Sequence, residues 1–264
     1  MSIPRDAQRS TAIAAKKLGR VSLPPTTTKA KASYLSDRLI TAIAMGAYSP
    51  GEALPSERDL ADLFDVSRDT VRAALSTVSE LGLIETRRGR RGGNFVARAA
   101  WEDIAPNTAR RVLEEELPRM ADLYDFRCLV EGLIAHTAAR RITDADAEAI
   151  TAALDTFTHS RDMISARTAD RQLHAAINAA AHNPHLTVLS AQLTVSATLG
   201  FGAEPYTEDF FAQAQTEHAD LVDRVLSRDA DGAQKSAEHH FQLTLATMRA
   251  SLEKARHNPV ESLQ

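Results

Sequence analysis

One cysteine, Cys128, occurs in 264 residues. That excludes an internal disulfide framework and fits a reducing cytosol, so a cytoplasmic protein is expected. Cys128 itself reads as a small buried hydrophobe on a helix. No apolar run approaches the roughly 20 residues that span a bilayer, and the first residues lack the apolar stretch of a secretion signal, so no membrane partner is expected. There is no HExxH-type glutamate to serve as a general base and no nucleophile motif, which argues against an enzyme. Acidic residues are missing from 86 to 98, a stretch that holds Arg87, Arg88, Arg90 and Arg91. None of the nine histidines falls before residue 135.

At 264 residues, with 44% hydrophobic and 25% charged residues, the chain can build two domains, each with its own core. The net charge of −4 conceals an asymmetry. Residues 1–32 hold seven basic residues against one acidic, residues 33–98 nine against nine, and residues 99–264 fifteen against twenty-five. A polyanion would be held at the N-terminal end and repelled by the rest.

Residues 1–32 mix Ser, Thr, Lys, Arg and Ala without a sustained apolar stripe and read as a disordered basic arm, either adding DNA attraction or merely solvated. Leu35, Leu39, Ile40 and Ile43 fall on one helical face, and Ser49-Pro50-Gly51 stops that helix. Ser56, with Asp59 three residues on, resembles a capping box, and Ser67 is a second N-cap candidate ahead of the stripe Val71, Leu75, Val78. Leu83–Thr86 and Asn94–Ala97 read as strands around an Arg/Gly turn. Residues 99–117 look like a linker. From 118 to 257 the spacing predicts only helices, near 118–141, 144–159, 163–181, 185–200, 208–228 and 231–256. The expected fold is therefore mainly α: a winged helix-turn-helix over 33–98, then an all-α bundle.

Helix, turn, helix, then a basic wing is how a small domain places one helix in a DNA major groove and a loop beside it. Arg68 and Arg72 are four apart and so project together from the start of the second helix. Arg can donate two parallel hydrogen bonds to guanine O6 and N7, each such pair worth ~1–3 kcal/mol of discrimination. Thr70 is expected to meet a thymine methyl or a phosphate. Arg58, at the start of the preceding helix, is placed for a backbone phosphate. The arginines of the wing tip suit the minor groove.

Pro50-Gly51-Glu52, Leu54-Pro55-Ser56-Glu57-Arg58-Asp59-Leu60-Ala61, Val66-Ser67-Arg68-Asp69-Thr70-Val71-Arg72-Ala73-Ala74-Leu75 and Gly82-Leu83-Ile84 closely resemble the winged helix of GntR-family transcriptional regulators. The likeness covers residues 34 to 97. It implies a homodimer that recognises a palindromic double-stranded operator, with DNA contacts at Arg58, Ser67, Arg68, Thr70, Arg72 and the wing residues Gly89, Arg90, Arg91 and Gly92. The wing here is longer and more basic than the usual Gly-rich tip.

Asp170 and His174 are four apart, which stacks a carboxylate and an imidazole on one helical face. His218 and His240 each lie eleven residues from Asp229, so antiparallel flanking helices would bring both rings level. One Asp and three His could form a shell for zinc, nickel or manganese, although spacing alone leaves core or surface histidines open. Asp170-x-x-x-His174, Asn183-Pro184, His218, Asp229 and His240 resemble the metal-binding form of the FCD effector domain of the FadR subfamily. The resemblance implies that those four residues hold a divalent ion, zinc first. It further implies that Arg127, in the run Asp122-Leu123-Tyr124-Asp125-Phe126-Arg127, reaches an effector pocket that would suit a small carboxylate. The alternative is an Arg127–Glu131 pair on a helix surface. Asn178, a further turn from His174, could line the same cavity. Leu173 stands where many members have Phe, His239 points about 100° from His240 and is left out, and the remaining histidines match nothing. The combined expectation is a ligand-responsive regulator, most often a repressor; the alternatives are a sensor whose signal is the ion itself and a metal-dependent hydrolase.

Overall fold

The computed structural model describes residues 27–89, 92–97, 106–198, 200–201 and 206–257. The first module is a winged helix. Helix α1 spans Thr28–Ala44, α2 Glu57–Phe64 and α3 Arg68–Glu80. Strands β1, Ile84–Arg87, and β2, Gly93–Val96, form an antiparallel pair in the register Ile84↔Val96 to Arg87↔Gly93. An isolated bridge from Ala53 to Phe95 widens the wing on its inner edge. The turn between α2 and α3 works because Asp65 adopts a left-handed conformation, φ 53°, after which Val66 N–H bonds back to Ala61. Leu35, Leu39, Leu60, Phe64, Val71 and Val78 fill the core between the three helices.

α1 begins earlier than the periodicity suggested. Thr27 caps it, its hydroxyl accepting from Ala30 N–H, so residues 28–32 are helical and not part of a disordered arm. A Thr, Lys and Ala stretch carries no apolar stripe, but the cap and the attached stripe at Leu35 carry the helix through it. Residues 1–26, the remainder of that expectation, lie outside the described residues.

The second module is a helical bundle built on one long helix, α4, Pro106–Arg141. The linker expected over 99–117 is therefore helical from 106 onward, and residues 98–105 lie outside the described residues. Pro118 suggested a helix start but sits inside α4 on the solvent side. Leu113, Leu117, Met120 and Tyr124 keep one face of the helix buried across it, which outweighs one lost backbone hydrogen bond. Then come α5 (Asp144–Thr158), α6 (Met163–Ala180), α7 (Pro184–Ala197), α8 (Glu208–Leu226), α9 (Ala230–Phe241) and α10 (Leu243–His257). The last two replace the single helix expected over 231–256, because the ladder resets at Gln242, whose N–H turns back to His239. All but α5 pack on α4. Among the described residues no helix is long and apolar enough to cross a membrane.

The modules share contacts. Phe201 leaves the bundle to pack edge-on against Tyr48 and Phe64 of the winged helix, at ring centroid distances of 5.9 and 5.2 Å. Tyr206 N–H donates to Gly46 O at 3.1 Å. Arg167 of α6 forms an ion pair with Glu52, whose carboxylate also accepts from Ser49 N–H; the two side chains are 4% and 18% exposed.

Candidate DNA interface and metal centre

The first turn of α3 is exposed and directed by its cap. Ser67 Oγ accepts from Thr70 N–H at 3.1 Å. Arg68 and Arg72 lie on the open face, more than half exposed. Both are drawn to one carboxylate: Glu57 Oε2 accepts from Arg72 Nε at 3.0 Å and from Arg68 Nη2 at 3.3 Å. Arg72 also reaches Asp69 at 3.2 Å. Glu57 sits in the first turn of α2, so these bonds tie the tip of α3 to α2. Arg58, Arg68, Arg72, Thr86, Gly92 and Asn94 line one open groove of about 850 Å³ between α3 and the wing.

Thr70 departs from expectation. It is buried, and its hydroxyl lies 2.8 Å from Ser67 Oγ. The third residue after an N-cap faces back towards the cap, so Thr70 closes the cap from within instead of lying on the open face with Arg68 and Arg72. In the wing, Gly92 N–H bonds to Gly89 O, and a Cβ at Gly92 would sit 2.4 Å from Arg87 O, which demands glycine there. Arg87 lies over the Phe95 ring at 4.3 Å. Arg90 and Arg91 fall outside the described residues.

In the bundle, α6 supplies Asp170 and His174, α8 supplies His218, and α9 supplies His240. The antiparallel α8–α9 hairpin turns at Asp229, as the spacing implied. One donor atom from each of the four residues falls within 4.8 Å of the others. The three Nε2 atoms are 3.0 to 3.2 Å apart, and Asp170 Oδ1 is 3.4 Å from His218 and 3.7 Å from His174. A tetrahedral ion with bonds near 2.05 Å needs donor spacings of about 3.3 Å, and an octahedral face needs about 2.9 Å. The five spacings above, 3.0 to 3.7 Å, lie close to these values. Three imidazole nitrogens aimed at one point cannot all hydrogen-bond to each other, since each carries a single proton or lone pair. A cation would satisfy all three at once.

Burial holds the His174 and His218 pKa values well below the ordinary histidine range, with further lowering from the neighbouring His240. The rings are therefore neutral, the form that ligates a metal. His240 Nδ1 sits 2.9 Å from Glu217 Oε2, the carboxylate–imidazole pairing that fixes a ligating ring. Burial raises the Glu217 pKa, but hydrogen bonds from His240 and Gln213 more than offset this and leave it below the usual value. Sequence reading missed Glu217; its place beside His218 was the available signal. His239, left out earlier, is mostly exposed. Tyr206 O–H reaches Asp170 Oδ1 at 3.4 Å.

Next to this cluster runs a buried polar row. Arg127 and Glu131 are both buried, so the surface-pair alternative fails: α4 turns this face inward. Arg127 Nη2 donates to Thr194 Oγ1 at 3.4 Å, and its guanidinium lies 4.7 Å from the centre of the Phe241 ring, which also packs on His174 and His240. Ser190 Oγ donates to Glu131 at 2.6 Å, and Asn178 Nδ2 donates to Ser190 at 3.2 Å. Asn178 stands in this row through its bond to Ser190; Glu131 and Ser190 were not singled out.

A basic helix tip beside a wing, joined to a helical bundle that encloses a four-donor cluster, is the build of a DNA-binding transcriptional regulator. Residues 31–93 match bacterial regulatory proteins of the gntR family and residues 122–243 match the FCD domain. The chain belongs to the GntR family, in its FCD-containing, FadR-like branch. It is 33% identical to the galactonate operon transcriptional repressor of Escherichia coli K12 over 74% of this chain and 86% of that protein. A second E. coli K12 protein, named for regulation of the L-lactate dehydrogenase operon, is 30% identical over 87% of this chain and 91% of its own length. The repressor NanR of Cronobacter sakazakii is 26% identical over 96% and 98%. These relatives are transcriptional regulators, not enzymes.

Proposed function

We propose that this chain is a cytoplasmic homodimeric repressor whose operator affinity falls when a small carboxylate binds beside a metal ion in the bundle. Arg68 and Arg72 read base edges, Arg58 and Ser67 hold the backbone, and the wing, including Gly89, Arg90, Arg91 and Gly92, lies along the adjacent groove. Asp170, His174, His218 and His240 hold the ion, for which zinc suits the three-nitrogen, one-oxygen set, with nickel and manganese next. The ion supplies positive charge beside Arg127, which together suit a carboxylate. Asn178 lines the same site. Two relatives carry names referring to galactonate and L-lactate dehydrogenase operons, which is in keeping with an organic-acid signal.

The observation that carries this reading is the position of α6. It presents Asp170 and His174 to the cluster and, one turn earlier, Arg167 to Glu52 of the winged helix. A change at the cluster is thus felt at the reading head, and two heads must match two half-sites. Dimerisation is supported by Phe126, Leu129 and Leu133, which are 47%, 53% and 50% exposed in one stripe along α4.

The test is selection of an operator from random duplexes, followed by titration of organic acids onto the complex at moderate salt. A palindrome that is released by an acid supports the reading. Binding without sequence preference refutes it, because non-specific affinity fades steeply with salt. If stripping the ion alone releases the operator and no acid does, the ion is the signal.

A further inference from the structure

We infer that the acid recognised in the bundle carries a hydroxyl group next to its carboxylate, and that Asn178 reads that hydroxyl. This rests on the carboxylate reading above and narrows it to hydroxy acids.

Arg127 stands one turn from Glu131 on the same face of α4, a cation beside the carboxylate. An ionised carboxylate only accepts, so the Ser190 hydroxyl spends its proton on Glu131 Oε1. The Ser190 oxygen is then left as an acceptor, and Asn178 must present its Nδ2 there, as it does at 3.2 Å. That fixes the amide. Its other end, Oδ1, is buried and accepts no hydrogen bond, in a side chain belonging to a residue only 9% exposed.

Three pairs of residues, each pair one turn apart, meet here: Arg127 and Glu131 on α4, His174 and Asn178 on α6, Ser190 and Thr194 on α7. One end of the group is cationic and metal-ligating; the Asn178 end is a fixed acceptor. A simple fatty acid or a 2-oxo acid brings oxygens to the cationic end but no donor for Oδ1. A hydroxy acid brings both. Leaving a buried acceptor unpaired weakens binding roughly tenfold to a hundredfold, which sets the expected selectivity.

The experiment is calorimetric titration of the zinc-loaded full-length protein with sets of acids matched in carbon number: lactate, pyruvate and propionate, then an aldonate and hexanoate. The hydroxy member of each set should bind at least about tenfold more tightly than its partners. Ser190→Ala frees the amide to rotate and offer Nδ2, so pyruvate should gain on lactate. Asn178→Leu should bring all members of a set within about threefold, with thermal melting confirming that each variant folds. Equal binding across the sets by the wild-type protein would overturn the inference. So would selectivity that persists unchanged in both folded variants. Failure of every acid to bind overturns the carboxylate reading itself, and this inference with it.

Discussion

The Arg167–Glu52 ion pair is the most exacting test of how the two modules are joined. Glu52→Gln removes the charge partner of a guanidinium that is 4% exposed, and an uncompensated buried cation should cost about 3 kcal/mol. Arg167→Met leaves Glu52 more open to water and still accepting from Ser49 N–H, so its cost should be smaller, about 1–2 kcal/mol. The double variant carries no buried charge at this site. It should resemble the Met variant alone, giving a coupling energy of about 2–3 kcal/mol between the two positions. Urea unfolding of all four proteins, compared at constant slope, measures the cycle. Costs that add to within about 0.5 kcal/mol would refute the reasoning, since they would mean the groups do not sense one another.

Leu129→Asp on the open face of α4 should yield a monomer by analytical ultracentrifugation and sharply weaken operator binding, while thermal stability of the monomer changes little. Thr70→Val should destabilise the winged helix by about 1 kcal/mol in urea unfolding and leave base preference in a binding selection unaltered, because Thr70 completes a cap. For the metal-free protein, stability should be flat above pH 7. Below pH 6.5 it should fall by up to about 1.4 kcal/mol per pH unit for each of His174 and His218, since burial keeps both unprotonated in the fold while the unfolded chain takes up protons; urea midpoints between pH 7.5 and 5 check this.

Much of this architecture could be read from local pattern. The caps at Ser56 and Ser67, the stripe Val71, Leu75, Val78 and the equal spacing of His218 and His240 about Asp229 are all short-range features, and each appears where expected. The parts that escaped depend on distance along the chain or on competing local rules. Pro118 signals a helix start by itself, and only the buried residues on either side reveal a helix running through it. Thr70 is a polar residue between two arginines in sequence, but its rotation about the helix puts it inside. The bond between Ser190 and Glu131 joins positions 59 residues apart, and that between Arg167 and Glu52 joins positions 115 apart. No periodicity encodes such pairings.

Phe201 gives the winged helix an aromatic ring that its own segment does not encode. The two rings it meets are Tyr48 and Phe64, and Phe64 is the last residue of α2, next to the turn that launches α3. A fragment cut after Val96 would keep every residue of the reading head and still lose one wall of the chamber under it. The amino-terminal unit is therefore a borrower, and expressing it alone removes the lender.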